Sequence, residues 1–192
     1  MNTTRASLLL RIKNRSDAEA WKDFQELYAP ILYRYARARG LSREDAEDVR
    51  DECIAVVARK IAAFEYDKAK GGFNNWLYFI ASGKVIDLLR RHREKHADSG
   101  QMAALPDPEP TPDEAWDANW RKAHLLYCVE QVRSHVSERN HEAFRLLSFE
   151  ECSVEEVCAR LDMTPEQVYQ AKSRVLRRVR QLLLDLEPDL AE

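Results

Sequence analysis

Apolar residues recur along this chain at three- and four-residue steps, the spacing of helices that bury one face. Ala18, Trp21, Phe24, Leu27, Tyr28, Ile31, Leu32 and Tyr35 form one such stripe, which stops at Gly40, a residue suited to end a helix. A second helix is predicted to start at Ser42, with Asp45 three residues on in a capping-box arrangement, and to turn Ala46, Val49, Cys53, Val56, Val57, Ile61 and Phe64 inward. A third runs from about Gly72 to Arg93; the spacing of Phe73, Trp76, Phe79 and Ile80 predicts that these rings face the core. Further helices are predicted near Trp116 to Val136, Glu138 to Phe149 and Ser153 to Leu161. Thr164, Pro165 and Gln167 then supply an N-cap hydroxyl, a first-turn proline and a capping-box amide for a last helix. Val168, Ala171, Val175, Val179 and Leu182 are its inward stripe.

Between residues 96 and 118 the periodicity lapses. Four of the seven prolines (Pro106, Pro108, Pro110 and Pro112) fall there with six acids and no Lys or Arg, the composition of a solvated tether. The expected fold is therefore all-α: two helical domains, 1–95 and 119–192, joined by a flexible acidic, proline-rich linker over 96–118. Only five glycines in 192 residues, among long runs of Ala, Leu, Arg, Glu and Lys, agree with that class.

A net charge of −3 taken alone argues against a nucleic-acid partner, but the charges are sorted by segment. Residues 1–95 hold 19 basic against 14 acidic side chains, and Gln167 to Leu184 holds five basic and no acidic ones. Cys53, Cys128, Cys152 and Cys158 lack C-x-x-C spacing and sit among apolar helical positions, so they are expected to be buried, reduced thiols of a soluble, cytoplasmic protein. The run Leu8 to Leu10 is too short for a signal peptide or a membrane span. No metal site, cofactor or catalytic residue is expected: the five histidines never combine with Cys, Asp or Glu at ligand or triad spacing, and no phosphate-binding glycine loop occurs.

Two surfaces carry candidate binding chemistry. The segment from Phe64 to Arg93 sets aromatics and a glycine pair ahead of a helix that ends in Arg90, Arg91 and Arg93. Rings stack on bases of any identity and guanidinium groups hold the phosphates between them, so the pattern suits an unpaired strand. With Phe73, Trp76 and Phe79 assigned to the core, the exposed set is Tyr66, Lys68, Lys70, Asn74, Asn75 and Tyr78. In the C-terminal domain, Val154 to Leu161, a short turn and the last helix have the form of a helix-turn-helix. Its outward residues are Tyr169, Gln170, Lys172, Ser173, Arg174, Arg177 and Arg178. The second helix also presents Glu44, Asp48, Asp51 and Glu52 outward, either as solvated decoration or as a dock for a basic partner. A lone DNA-binding regulator would need a ligand or receiver domain in place of the helical first half. A helical adaptor would have no use for the acid-free face of the last helix.

The chain resembles the small, two-domain extracytoplasmic-function sigma factors of bacterial RNA polymerase from roughly Ala18 to Leu184. DAEDVRDE (Asp45 to Glu52) is similar to that family's polymerase-docking motif, FNNWLYFIASGKVIDLLRR (Phe73 to Arg91) to its promoter-melting helix, and SVEEVCARLDMTPEQVYQAKSRVLRRVR (Ser153 to Arg180) to its DNA-reading helix-turn-helix. The resemblance implies that Asp45, Asp48, Asp51 and Glu52 meet the β′ coiled-coil of core polymerase. The loop Tyr66 to Gly72, with Lys68 and Lys70, would wall a pocket for a base flipped from the minus-ten element. Asn74, Asn75 and Lys84 would follow the strand, and Arg90, Arg91 and Arg93 the adjoining phosphates. It further implies that Tyr169, Gln170, Lys172 and Ser173 face the minus-thirty-five element, with Arg174, Arg177 and Arg178 on phosphates or guanines. Implied partners are core polymerase through the β′ coiled-coil and β flap, promoter DNA as duplex and melted strand, and an anti-sigma factor. The linker would thread toward the polymerase cleft. The chain departs from the family at Ser82-Gly83, where Arg-Asn is usual, at Asp162, where glycine is frequent, and at Ala171-Lys172, which reverses the common order.

Overall fold

The computed structural model describes residues 5–65, 67, 72–95 and 112–186, and among these every regular element is a helix. The helices are α1 (Arg5–Arg11), α2 (Ala18–Ala38), α3 (Arg43–Lys60), α4 (Gly72–Lys95), α5 (Glu114–Val132), α6 (Glu138–Ser148), α7 (Val154–Leu161) and α8 (Pro165–Leu186). Short 3-10 turns follow α3 at Ile61–Ala63 and α5 at Arg133–His135. The chain divides into two compact units, Ser7–Ala123 and His124–Glu192, the latter grouped with Met1–Ala6, each considered by itself below. Most of the expected linker lies outside the described residues.

In the first unit the N-terminal caps form as the sequence requires. Asp17 accepts from the Ala20 N–H at 3.0 Å and holds Arg11 through two 2.9 Å bonds, which fixes α1 to the start of α2. These bonds hold the Asp17 carboxyl below the usual range, the Arg11 bonds contributing most. α1 itself carries no strong sequence signal, yet Leu8, Leu9 and Ile12 are buried. Ser42 caps α3 by accepting from the Asp45 N–H at 3.0 Å. Gly40, at φ +84°, closes α2 in the left-handed conformation that glycine adopts without a steric penalty.

α2, α3 and α4 surround a core rich in rings: Phe24, Tyr28, Tyr35, Phe73 and Tyr78 are all buried. The first turns of α5 complete it. Trp116 is fully buried, with its ring centroid 5.1 Å from Tyr35 and 5.3 Å from Tyr78, and Trp120 lies 5.3 Å from Tyr28. Residues 114–118, expected in the tether, are therefore helical and anchored in the first unit. Proline and acid density hide the apolar content at this boundary, where Trp116 and Trp120 stand four residues apart.

The inward face of α4 is also phased differently from expectation. Phe73, Leu77, Tyr78, Ala81, Ser82, Val85 and Leu88 are buried, whereas Trp76 is half-buried and Phe79 is 48% exposed. The aliphatic residues Leu77, Ala81, Val85 and Leu88 set the phase. Tyr78 turns inward because Trp116 and Tyr35 offer ring partners on that side.

The second unit is a helix-turn-helix built on α6. Ala143, Leu146, Val157, Met163, Val168 and Ala171 make its core, with Cys152 and Cys158 packed against it. Those two thiols are half-exposed, contrary to expectation, since Cys152 lies in the loop between α6 and α7 and Cys158 at the edge of the α7 stripe; Cys53 and Cys128 are buried, and none of the four forms a disulfide. Burial pushes the Cys53 thiol up to about 12. Ser153 and Glu156 form a reciprocal capping box at α7. Thr164 and Gln167 do the same at α8, the Thr164 N–H donating to Gln167 Oε1 at 2.9 Å. Asp162 takes the left-handed conformation, φ 51° and ψ 50°, between the two helices. Arg139 of α6 donates to the carbonyls of Leu161 and Asp162, pinning that turn.

Removing the anchor ring should cost what burial of a large aromatic contributes. Trp116→Ala is expected to destabilise the first unit by about 3–5 kcal/mol in chemical denaturation. A Cβ at Gly83 would meet nothing within 4 Å, so Gly83→Ala should instead stabilise α4 by about 0.5–1 kcal/mol.

Candidate nucleic-acid and partner interfaces

The four acids of the expected docking face have different neighbours. Asp45 accepts from the Ser42 hydroxyl at 2.7 Å and lies 3.4 Å from His92 Nε2. Glu52 reaches across to α4, 2.9 Å from Lys84 Nζ and 3.7 Å from Arg91. The Lys84 bond, more than any other contact, holds the Glu52 carboxyl below the usual carboxylate range, against a smaller opposing effect of burial. Asp51 is gripped at 2.7 and 3.0 Å by the adjacent Arg50, which lowers it in the same way. Asp48 is exposed and makes no ion pair among the described residues. Asp48 and Asp51 thus face outward, while Asp45 and Glu52 also tie α3 to α4.

Beside α4 the first unit holds a cavity of about 840 Å3. Asn75, Trp76 and Phe79 form its α4 wall, Arg59 and Lys60 the last turn of α3, and Phe64, Asp67 and Gly72 its rim. Phe64 and Trp76 lie 4.8 Å apart at 42°, and the lining sets these rings among two cations, Arg59 and Lys60, and two carboxylates, Glu65 and Asp67. This is a place for a flat, electron-rich group carrying phosphate. Phe79, expected in the core, is instead part of the wall, and Tyr78, expected on the surface, is buried away from it. Tyr66, Lys68 and Lys70 lie outside the described residues.

Asn74 is not among the cavity's lining residues. It donates to Asp117 at 3.2 Å and accepts from the Trp116 indole N–H, so its amide is spent on α5. Lys84 is similarly engaged by Glu52. Arg90 and Arg91 are exposed on the last turns of α4 and Arg93 is half-buried. Arg59 and Lys60 were not singled out from the sequence. Two cations in the final turn of a helix read as dipole partners; only the fold brings them opposite Trp76.

In the second unit the buried stripe of α8 is as expected, so Tyr169, Gln170, Ser173, Arg174 and Arg177 are exposed and Lys172 and Arg178 partly so. Tyr169, 60% exposed, stands one turn from the start of the helix, where a recognition helix meets base edges. Neither unit has a helix long and apolar enough to cross a membrane, among the described residues.

Residues 24–95 match the Sigma-70 region 2 family, a span that contains α3, α4 and the cavity between them. Over 194 residues, 94% of this chain and 96% of the relative, the sequence is 30% identical to the ECF RNA polymerase sigma factor ShbA of Streptomyces griseus. It is 25% identical to the ECF RNA polymerase sigma factor BldN of Streptomyces coelicolor over 71% of this chain and 52% of that one. The corresponding figures for the ECF RNA polymerase sigma factor RpoE of Cereibacter sphaeroides are 22%, 66% and 67%. With 30% identity to such a factor along nearly its whole length, the chain belongs to the ECF group of RNA polymerase sigma factors.

Proposed function

We propose that this sigma factor, which binds core polymerase and directs it to promoters, divides the work between its two units. The first docks on the β′ coiled-coil and takes an unstacked base of the minus-ten element into the cavity beside α4. The second reads the minus-thirty-five element with α8 and meets the β flap. The observation that carries this reading is the cavity, where Asn75, Trp76 and Phe79 face Arg59 and Lys60. Stacking rings, an amide with donor and acceptor, and cations for the backbone are the three requirements of single-strand binding.

Within the docking face, Asp48 and Asp51 present charge outward and supply the complementary surface for a basic coiled-coil. Asp45 and Glu52 contribute to the same field while holding α4 in place. On the strand side Asn75 contacts the base and Asn74 acts structurally through α5. Arg90, Arg91 and Arg93, at the end of α4, hold phosphates of the adjoining duplex, and Lys84 joins them where Glu52 releases it. Tyr66, Lys68 and Lys70 extend the cavity wall. An anti-sigma factor that covered α3 or the cavity would block both activities.

The direct test is reconstitution: the full chain is mixed with core polymerase, the complex is isolated, and run-off transcription is measured on genomic fragments. Specific transcripts that require the added chain are expected. A chain that co-purifies with core polymerase yet starts no transcript would contradict the reading.

Two finer outcomes follow from the split among the acids. Asp48→Lys with Asp51→Lys should leave stability within about 0.5 kcal/mol, since both side chains are exposed, and should weaken core binding at least about tenfold by replacing attraction with repulsion. Equal affinity in the folded double variant would return these acids to surface decoration. Glu52, by contrast, has a lowered folded pKa, so its ion pairs stabilise the protein above the ordinary glutamate value of about 4.3 and lose that effect as pH falls through the lower folded value. The stability gap between wild type and Glu52→Gln should be about 0.5 kcal/mol at neutral pH and close between neutral pH and acid below the lowered folded value. Parallel denaturation curves at the two ends of that range would measure it.

A further inference from the structure

A second concavity, of about 690 Å3, lies in the second unit between the start of α6 and the middle of α8. Arg174, Arg177 and Arg178 line one side, and His135, Ser137 and Asn140 the other; no carboxylate lines it. Steps of three and four residues bring the three arginines to one face of α8. Four other arginines of this unit are occupied, Arg133 by Glu138 at 3.4 Å, Arg160 by Glu150 at 3.9 Å, Arg145 by Glu142 and Glu150, and Arg139 by backbone carbonyls, while Arg180 does not line the groove. Arg174 and Arg177 make no ion pair among the described residues. Opposite them stands the N-terminus of α6, 11 residues long, where Ser137 caps the Asn140 N–H and the amides of Glu138 and Arg139 have no acceptor inside the helix. The guanidinium groups of Arg174 and Arg177, an amide side chain and the positive end of a helix converge on one groove, which is the chemistry of a phosphate site.

We propose that this groove binds phosphate, and that in the promoter complex the phosphate belongs to the DNA backbone. The inference rests on α8 as the duplex-reading helix and decides a point that reading leaves open. Arg174 and Arg177 hold the backbone together with the start of α6, and base readout falls to Tyr169, Gln170 and Ser173, nearer the start of α8. His135, Ser137 and Asn140 thereby become part of the DNA footprint, although they lie outside the helix-turn-helix.

Asn140→Asp tests this, because a carboxylate in the first turn of α6 favours the helix dipole and the variant should fold at least as stably as wild type. The full chain with core polymerase is titrated with promoter duplex at several salt concentrations, and the full chain alone with inorganic tripolyphosphate. The variant is expected to bind duplex about tenfold more weakly, with a log–log salt slope smaller by about one, the loss of one phosphate contact. Tyr169→Ala should instead lose discrimination between promoter and scrambled duplex and keep the slope. Loss of tripolyphosphate binding in Asn140→Asp with duplex binding intact would support the groove and assign it to a free polyphosphate. Wild-type affinity and slope for both probes would overturn the proposal, as would a loss confined to core polymerase, which would point to an acidic protein segment. Failure of wild type to discriminate promoter from scrambled duplex would sink the α8 reading itself, a separate result.

Discussion

The first unit depends on one aromatic junction. Trp116 enters between Tyr35 of α2 and Tyr78 of α4, and its indole N–H reaches Asn74. That insertion fixes which way α4 is rolled. With Tyr78 inward, Phe79 must face outward, and Asn75 and Trp76 follow it to the cavity side. The position of the cavity wall on one side of a helix is thus set by a buried ring on the other, through the 100° step between successive residues. The anchor comes from beyond residue 95, where the match to the Sigma-70 region 2 family ends, so the stretch that completes the domain lies outside the matched span.

Charge is arranged around this core with a division of roles. Glu52 and Asp45 face α4 and meet Lys84, Arg91 and His92, while Asp48 and Asp51 look outward. A half-exposed ion pair contributes little stability, but it holds the cations of α4 beside the acids of α3 and keeps the two surfaces adjacent. In the second unit Arg133, Arg145 and Arg160 are neutralised by glutamates, and Arg174 and Arg177 are not. Net charge hides this difference, because what matters for an anion is which cations lack a partner.

Much of the fold was legible in the sequence because its signals are local. Ser42, Ser153 and Thr164 cap helices as read, the α2 and α8 stripes are buried from Phe24 and from Val168 onward, and the turn accepts Asp162 at positive φ. The misread residues are those whose environment is made by distant parts of the chain. Tyr78 and Phe79 exchange places because Trp116, almost forty residues away, supplies the ring partner. Asn74 and Asn75 are neighbours in sequence, yet one is bound to α5 and the other lines the cavity. Periodicity gives the existence of an amphipathic helix but not its roll when several aromatics compete for the inward face. Arg59 and Lys60 escaped notice for the same reason, since their meaning comes from what they face.

Asn74 is bound to α5 while Asn75 lines the cavity, and site-specific crosslinking tests directly the proposal that Asn75 meets the melted strand. A photoreactive amino acid is placed at position 75 or at position 74 of the full chain, the protein is assembled with core polymerase on promoter DNA, and crosslinks to the non-template strand are mapped. Crosslinks from position 75 to the minus-ten region, with little or none from position 74, are the expected result. Strong crosslinks from position 74 and none from position 75 would contradict it and would place the melted strand on the other side of α4.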